Sequence, residues 1–184
     1  MKVGFVSLGC SKNLVDTEMC IGLFQKENFE VINNAKEAEI IVINTCGFIQ
    51  SAKEEAINCI LEMAEQKKIG KCKYLIVMGC LVQRYKEELK KSIPEVDLFL
   101  SIDEYNDIWN KIANLINAKK SKNTLDYLDR VVSTGRTTAY LKIAEGCSNN
   151  CTYCAIPYIR GPFVSRPMED IIEEAKLLAS RGIK

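Results

Sequence analysis

Short runs of apolar residues alternate along the chain with longer segments in which apolar residues recur every three or four positions. The short runs predict strands, and the longer segments predict amphipathic helices. Strands are predicted at 2–8, 29–32, 39–44, 73–78 and 96–100, and helices at 14–26, 48–68, 84–91 and 105–118. A run such as 39–44, apolar almost throughout, is typical of a strand covered on both faces. The alternation therefore predicts βαβ units and a doubly wound parallel sheet.

The composition changes at Lys119, where a polar stretch rich in lysine begins. We expect 1–118 to form the first domain, 119–137 to be a linker, and 138–184 to begin a second domain. That second part contains one predicted strand, 138–144, and one predicted helix, 168–180. A single βα unit cannot bury both of its faces, so we expect the second domain to be incomplete.

The 184 residues carry 25 basic and 24 acidic side chains, nine cysteines and no histidine. A net charge of +1 gives no bulk field that would attract a polyanion. The lack of histidine excludes Ser-His-Asp triads, Cys-His proteases, histidine-ligated zinc and Rieske clusters. Neither a signal peptide nor a membrane-spanning run is visible, so we expect a cytoplasmic protein with reduced thiols.

Three of the cysteines, Cys147, Cys151 and Cys154, form a CxxxCxxC motif directly after the predicted strand 138–144. Three thiolates from one tight loop can bind three irons of a 4Fe-4S cluster and leave the fourth iron open. An open metal position is where a substrate or cofactor binds. The alternative is a zinc site completed by a distant cysteine, although structural zinc sites mostly use paired CxxC motifs.

Three other cysteines, Cys10, Cys46 and Cys80, each follow a predicted strand, and each has a glycine beside it. In a parallel sheet the carboxyl ends of the strands meet at one edge, where ligands of open α/β sheets bind. We therefore expect these three thiols to converge and to bind a cluster, with three unrelated core cysteines as the alternative. The remaining cysteines are interpreted as small buried side chains or incidental surface thiols: Cys20, Cys59 and Cys72.

The CxxxCxxC motif, with Tyr153 before its last cysteine, resembles the radical S-adenosylmethionine (SAM) superfamily. The flanking segments 140–147, 155–161 and 165–167 resemble the methylthiotransferases within it. The segment 7–18 reads Ser-Leu-Gly-Cys-Ser-Lys-Asn-Leu-Val-Asp-Thr-Glu and is similar to the RimO branch, which modifies an aspartate of a small-subunit ribosomal protein. Family members continue through a partial (β/α) barrel and a small β domain, so we expect this fragment alone to be inactive.

The resemblance implies two 4Fe-4S clusters and S-adenosylmethionine. The first cluster would be bound by Cys147, Cys151 and Cys154 and would cleave S-adenosylmethionine reductively. The second would carry the sulfur or methylthio group, and its ligands would be Cys10, Cys46 and Cys80. Two further residues are candidates for cofactor binding, Tyr153 near the adenine and Arg160 at an acidic group of cofactor or substrate. The alternatives for these two are a core aromatic and an ordinary surface arginine.

The resemblance also implies the partners, namely a ribosomal protein as substrate and an external electron donor. We expect no membrane association and a monomer. Two other functions stay open from the sequence, a MiaB-like tRNA methylthiotransferase and a non-catalytic iron-sulfur or zinc module. No basic face typical of RNA binding is evident in the sequence.

Overall fold

The computed structural model describes residues 1–184. Its centre is a sheet of five parallel strands in the order β2-β1-β3-β4-β5. The strands are β1 (Lys2–Ser7), β2 (Glu30–Val31), β3 (Ile40–Thr45), β4 (Tyr74–Gly79) and β5 (Leu98–Leu100). The chain moves outward in one direction from β1 to β2 and in the other from β3 to β5. The predicted doubly wound parallel sheet is therefore confirmed, with its topological switch point between β1 and β3.

Four helices cover the two faces of this sheet. They are α1 (Ser11–Lys26), α2 (Gln50–Ile69), α3 (Cys80–Ser92) and α4 (Ile108–Ile116), the last preceded by a 3-10 helix at Ile102–Asp107. The helices α1 and α4 pack on one face, and α2 and α3 pack on the other. None of the helices is both long and apolar enough to cross a lipid bilayer.

All six residues of β3 are buried, which explains why its first four are apolar and β-branched. Ile41 and Ile43 belong to the core under α2 and α3, whereas Ile40 and Val42 belong to the core under α1 and α4. Alternate side chains on a strand point to opposite faces. Both faces of this strand are therefore removed from water, which favours an uninterrupted run of β-branched residues.

All four helices of the sheet domain begin or end a few residues from their predicted bounds, and two differences from the predicted bounds or faces have a clear structural reason. The helix α3 begins at Cys80 and not at residue 84, because Gly79 adopts a positive φ of 102° and turns the chain directly from β4 into the helix. In α1 the predicted apolar face included Leu14 and Ile21, which are only half-buried. Helix α1 is instead covered on a second side by residues after 118, which bury polar side chains such as Asp16.

The remaining elements are short, apart from one helix. They are β6 (Ala144–Glu145), α5 (Ile156–Arg160), β7 (Val164–Ser165) and α6 (Met168–Ser180). The bounds of α6 are those predicted. The predicted strand 138–144 is wrong except at its last residue, because only β6 is paired, and it pairs antiparallel with β7. A strand needs a neighbour for its hydrogen bonds, and no parallel neighbour for 138–143 occurs among residues 1–184.

The predicted linker lies against α1. At Gly22 an added Cβ would meet the carbonyl oxygen of Asp129 at 2.1 Å, so only glycine permits this crossing. The Val131 amide donates to the carbonyl of Glu18 at 3.1 Å, and Arg130 is almost fully buried. The division into 1–118, 119–137 and 138–184 stays a prediction, but the middle segment is packed along most of one helix.

Candidate functional site

The first set of cysteines lies at the carboxyl edge of the sheet, beside the switch point. Cys10 is the N-cap of α1, Cys46 follows β3 directly, and Cys80 is the first residue of α3. Cys10 is exposed, Cys46 is half-buried and Cys80 is buried, and none is in a disulfide. The N-termini of helices favour the thiolate form of cysteine, which is the form that binds metals. These three residues are called the sheet-edge triad below.

Glycines allow the chain segments of the sheet-edge triad to approach one another. An added Cβ on Gly9 would meet the Cys46 Cβ at 2.6 Å, and one on Gly47 would meet the Leu81 Cα at 2.8 Å. Gly9 also has a positive φ of 92°. A residue with a side chain at either position would force the loops apart, so the glycines beside the cysteines are required by the geometry.

The three thiols of this triad are close enough to influence one another. Burial raises the pKa of Cys80, the charge of Arg160 opposes this increase, and Cys46 and Cys10 add to it. The Cys80 thiol donates to Asn13 Oδ1 at 3.4 Å. The Asn13 amide nitrogen donates in turn to the carbonyl oxygens that end two strands, those of Leu8 at 3.0 Å and Thr45 at 2.9 Å. Asn13 therefore ties together all three loops of the triad.

The second set, Cys147, Cys151 and Cys154, occupies the loop between β6 and α5 and is called the loop triad below. Cys151 is exposed, and the other two are half-buried, with all three thiols free. The Cys154 amide donates to the carbonyl of Cys151 at 3.1 Å, which folds the CxxC half into a turn. The Cys147 amide donates to the carbonyl of Gly161 at 3.1 Å, which closes the base of the loop.

No three cysteine, aspartate or glutamate side chains are gathered so that they could bind a single metal ion. In a 4Fe-4S cube each thiolate binds a different iron. The donor chemistry of both triads fits such a cluster, because each offers three free thiols.

A buried group of charges joins the two triads. Arg160, which ends α5, contacts Asp16 Oδ2 at 3.0 Å and Glu145 Oε2 at 2.9 Å. Lys142 contacts Asp16 Oδ1 at 2.7 Å and also pairs with Glu145. Burial would raise the pKa of Glu145, but the charges of Lys142 and Arg160 outweigh it and lower that pKa to about 2. Glu145 is therefore ionised at neutral pH, and the group links α1 to the segment that carries the loop triad.

A second buried charge group lies further along α1. Arg130 contacts Glu174 Oε1 at 3.2 Å and Glu18 Oε2 at 3.9 Å, and all three side chains are almost completely buried. Arg166 also pairs with Glu174, and its guanidinium stacks on the Tyr127 ring, 3.4 Å from the centroid. Arg130 therefore lies between Glu18 of α1 and Glu174 of α6, and hydrogen bonds from Ser133 to Glu18 add to the contact between the middle segment and α1.

The two predicted cofactor residues lie in contrasting environments. Tyr153 is 85% exposed and makes no contact that would mark it as a core aromatic. The Arg160 side chain is only 2% exposed, and its guanidinium is held by Asn13, Asp16 and Glu145. The role of both residues toward a cofactor stays a prediction.

Sequence reasoning did not single out several residues of this site: Asn13, Asp16, Lys142 and Glu145. Asn13 and Asp16 lie in the segment 7–18 that carries the family resemblance, but their spacing of three on one helix face is equally typical of a solvated surface. Of the cysteines outside the triads, Cys20 and Cys72 are buried and Cys59 is half-buried. Burial, with a smaller contribution from Asp16, raises the pKa of Cys20 to about 12, as befits an inert core thiol.

Comparison with known proteins supports the motif-based resemblance. Residues 141–184 match the Radical SAM superfamily. A protein of Alkaliphilus oremlandii named ribosomal protein uS12 methylthiotransferase RimO is 65% identical over the whole chain, which covers 42% of that relative. Proteins of the same name from Acetivibrio thermocellus and Clostridium botulinum are 52% and 53% identical, again over the whole chain and 43% of each relative.

The chain thus spans less than half the length of these relatives. The predicted resemblance to radical SAM methylthiotransferases is confirmed by the matches to both parts of the chain. The sheet domain is matched over residues 2–101, more than half of the sequence, and by this match the chain belongs to the family described as Uncharacterized protein family UPF0004.

Proposed function

We propose that this protein is a radical SAM methylthiotransferase that attaches a methylthio group to the β-carbon of an aspartate in a small-subunit ribosomal protein. The three relatives described above are named as methylthiotransferases of ribosomal protein uS12, which supports a ribosomal protein over tRNA as the substrate. The observation that carries the proposal is the presence of two triads of free thiols in one structure, joined by a buried group of charges.

In this proposal the loop triad binds a 4Fe-4S cluster whose open iron is available to S-adenosylmethionine. Such a cluster supplies the one-electron cleavage of S-adenosylmethionine that attack on an unactivated C–H bond requires. The exposed Tyr153, within the loop triad, is available to pack against the adenine. The protein itself contributes the fixed shape of the loop, because the bond from the Cys147 amide to the Gly161 carbonyl holds its base.

The sheet-edge triad is proposed to bind the second 4Fe-4S cluster, which holds the sulfur or methylthio group. Two of its cysteines lie at helix N-termini, where the helix dipole favours a bound anionic group. Its position at the switch point places the cluster at the edge where open α/β sheets bind ligands. Cys10, the exposed member, marks the side from which a substrate can approach.

The remaining features of the proposed function follow from the resemblance. The enzyme is proposed to be a cytoplasmic monomer that receives electrons from an external donor. The 184 residues are proposed to contain the ligands of both clusters. Residues 138–184 are proposed to be the start of the radical SAM domain.

Anaerobic reconstitution of the chain, followed by iron, sulfide and zinc analysis, tests the cluster assignment. We expect about eight irons per chain and no stoichiometric zinc. Cys10→Ala and Cys151→Ala should each lower the iron content to about four, and Cys59→Ala should leave it at about eight. About four irons in the unmodified chain would mean that only one triad binds a cluster and that the other has a structural role. Stoichiometric zinc would contradict the enzyme proposal.

The substrate is tested in cells that lack the full-length gene. Mass spectrometry should show that ribosomal protein uS12 loses a methylthio group from an aspartate, while tRNA keeps its modifications. Loss of a methylthio group from tRNA, with uS12 unchanged, would replace the proposed substrate by the tRNA alternative.

A further inference from the structure

The carboxamide of Asn13 connects the sheet-edge triad to a residue from the other half of the chain. Its oxygen accepts a hydrogen bond from the Cys80 thiol at 3.4 Å and another from Arg160 Nη2. Its nitrogen is occupied by the Leu8 and Thr45 carbonyls, so the carboxamide has one orientation and cannot rotate freely. An arginine 147 residues further along the chain therefore completes the surroundings of Cys80.

The Arg160 guanidinium is held firmly where it meets Asn13. Its Nη2 contacts Asp16 and its Nη1 contacts Glu145, so both ends of the fork are occupied. Its side chain is 2% exposed, and its charge acts on Cys80, whose pKa is raised by burial and lowered by Arg160. A fixed positive charge in surroundings of low dielectric constant interacts strongly with a thiolate or an anionic cluster.

The residue that follows Arg160 contacts the loop triad. The Gly161 carbonyl accepts the amide of Cys147 at 3.1 Å. An added Cβ on Gly146 would meet the Gly161 carbonyl oxygen at 2.5 Å, so this contact requires the glycine that precedes the loop triad. Arg160 therefore contacts the surroundings of the sheet-edge triad, and the next residue, Gly161, contacts the loop triad.

We propose that Arg160 is a positioning residue of the sheet-edge triad, contributed by the segment that carries the loop triad. Before a cluster binds, it orients the Cys80 thiol through the Asn13 carboxamide. Once Cys80 binds iron as a thiolate, the thiol proton is lost, and what Arg160 still contributes is a fixed positive charge near the Cys80 sulfur. This inference rests on the proposed function in one respect, since it requires that the sheet-edge triad binds a cluster. Positive charge and hydrogen bonds near the sulfur ligands stabilise the reduced, more negative state of a cluster and raise its reduction potential.

The test uses the 184-residue chain with all three cysteines of the loop triad changed to alanine, so that only one cluster forms. Arg160→Met and Arg160→Lys are made in this parent and reconstituted anaerobically. Arg166→Met is the matched control, because it removes a guanidinium from the same part of the chain whose ion-pair partner is Glu174. Arg166 contacts the charge group only through the backbone carbonyl oxygen of Lys142 and pairs with none of its carboxylates. Asp16 and Glu145 keep Lys142 as a partner in Arg160→Met, so the variant leaves no isolated buried charge.

Two quantities are measured, the midpoint potential of the cluster by redox titration followed by electron paramagnetic resonance, and the rate of iron loss to a chelator. Arg160→Met should shift the potential to a more negative value and increase the rate of iron loss about tenfold. Arg160→Lys should keep the potential near that of the parent, since the charge remains. It should still lose iron faster, because an ammonium group cannot contact Asn13, Asp16 and Glu145 together. Arg166→Met should match the parent in both measurements.

A folded Arg160→Met protein with the potential and the iron-loss rate of the parent would overturn the inference. If that variant does not fold, the iron-loss rate of Arg160→Lys decides, and a rate equal to that of the parent would overturn it. A parent that binds no iron would instead refute the cluster assignment of the sheet-edge triad, and the inference with it. The two failures are therefore distinguishable.

Discussion

Residues 1–118 and residues 119–184 are each stabilised by a different kind of buried contact. Up to residue 118 the buried residues are mostly apolar and form two cores, one on each face of the sheet. After residue 118 only Ile159 and Leu178 are buried apolar residues, while Arg130, Arg160 and Glu174 are buried and charged. Hydrophobic burial is non-directional and tolerates small shifts, whereas buried ion pairs have a strict geometry.

The difference indicates how the two triads are kept in a fixed relation. The sheet-edge triad is placed by the topology of the sheet, and the loop triad is placed against it by ion pairs with α1. A buried ion pair gains little net stability over an apolar pair, but it strongly penalises any arrangement that separates the charges. The charges on α1 therefore specify where the second half docks more than they stabilise the whole chain.

The largest effect is expected in the apolar half, at Trp109. It is 1% exposed and packs edge-to-face against Phe24 and Phe29. Trp109→Ala should lower the free energy of unfolding by about 3–5 kcal/mol, because it leaves a large cavity. Urea denaturation followed by circular dichroism measures this, with Phe163→Ala, at a site that is 56% exposed, as the control. A loss below about 1 kcal/mol would show that α4 is not part of the cooperative core.

A comparable but local effect is expected where α1 contacts the segment that carries the loop triad. Asp16→Ala leaves Arg160 and Lys142 to share the half-buried Glu145, and breaking a buried ion pair costs about 3 kcal/mol. Hydrogen exchange should accelerate in α5 and in the 144–145 and 164–165 strand pair, while β3 and β4 stay protected. Asp129→Ala, which removes an exposed pair with Lys26, is the control. Equal acceleration in both halves would contradict the distinction between them.

A smaller effect on the free energy of unfolding is expected when acid protonates Glu104 in the apolar half. Burial opposes ionisation of Glu104, but Lys86, Ser101 and Lys111 outweigh it and lower the pKa to about 2, from an ordinary value of 4.5. Because the pKa of Glu104 is lower in the folded state than its ordinary value, the ionised carboxylate stabilises the fold above about pH 4.5. This stabilisation is lost as the pH falls from about 4.5 to about 2. Glu104→Gln should remove about 1–2 kcal/mol at neutral pH and flatten the acid dependence of unfolding. An unchanged acid profile would contradict this assignment.

The smallest effect is expected from an exposed ion pair. Glu65 and Lys68 lie 3.0 Å apart on α2 with side chains 55% and 69% exposed. Glu65→Gln should change the free energy of unfolding by less than about 0.5 kcal/mol. A change comparable to that of Asp16→Ala would mean that burial does not determine the strength of these pairs.

Much of the first half could be predicted because its signals are local or topological. The apolar run 39–44 predicts a strand covered on both faces, and the parallel topology then brings Cys10, Cys46 and Cys80 to one edge. The contact between Asp16 and Arg160 could not be predicted. From the sequence, Arg160 is expected to contact an acidic group of cofactor or substrate, Asp16 does not stand out from a solvated charge, and 144 residues separate the two. The predicted strand 138–144 failed because pairing depends on a neighbour that apolar patterning does not reveal.

The polar row on α1 has a consequence for synthesis of the protein. Asp16 and Glu18 belong to the first helix made, yet their partners lie in 130–160, so these contacts cannot form until the segment up to Arg160 has left the ribosome. Until then both carboxylates have no protein partner and are solvated. The same side chains are thus surface charges while the sheet domain stands alone, and they become buried partners only when the second half has emerged.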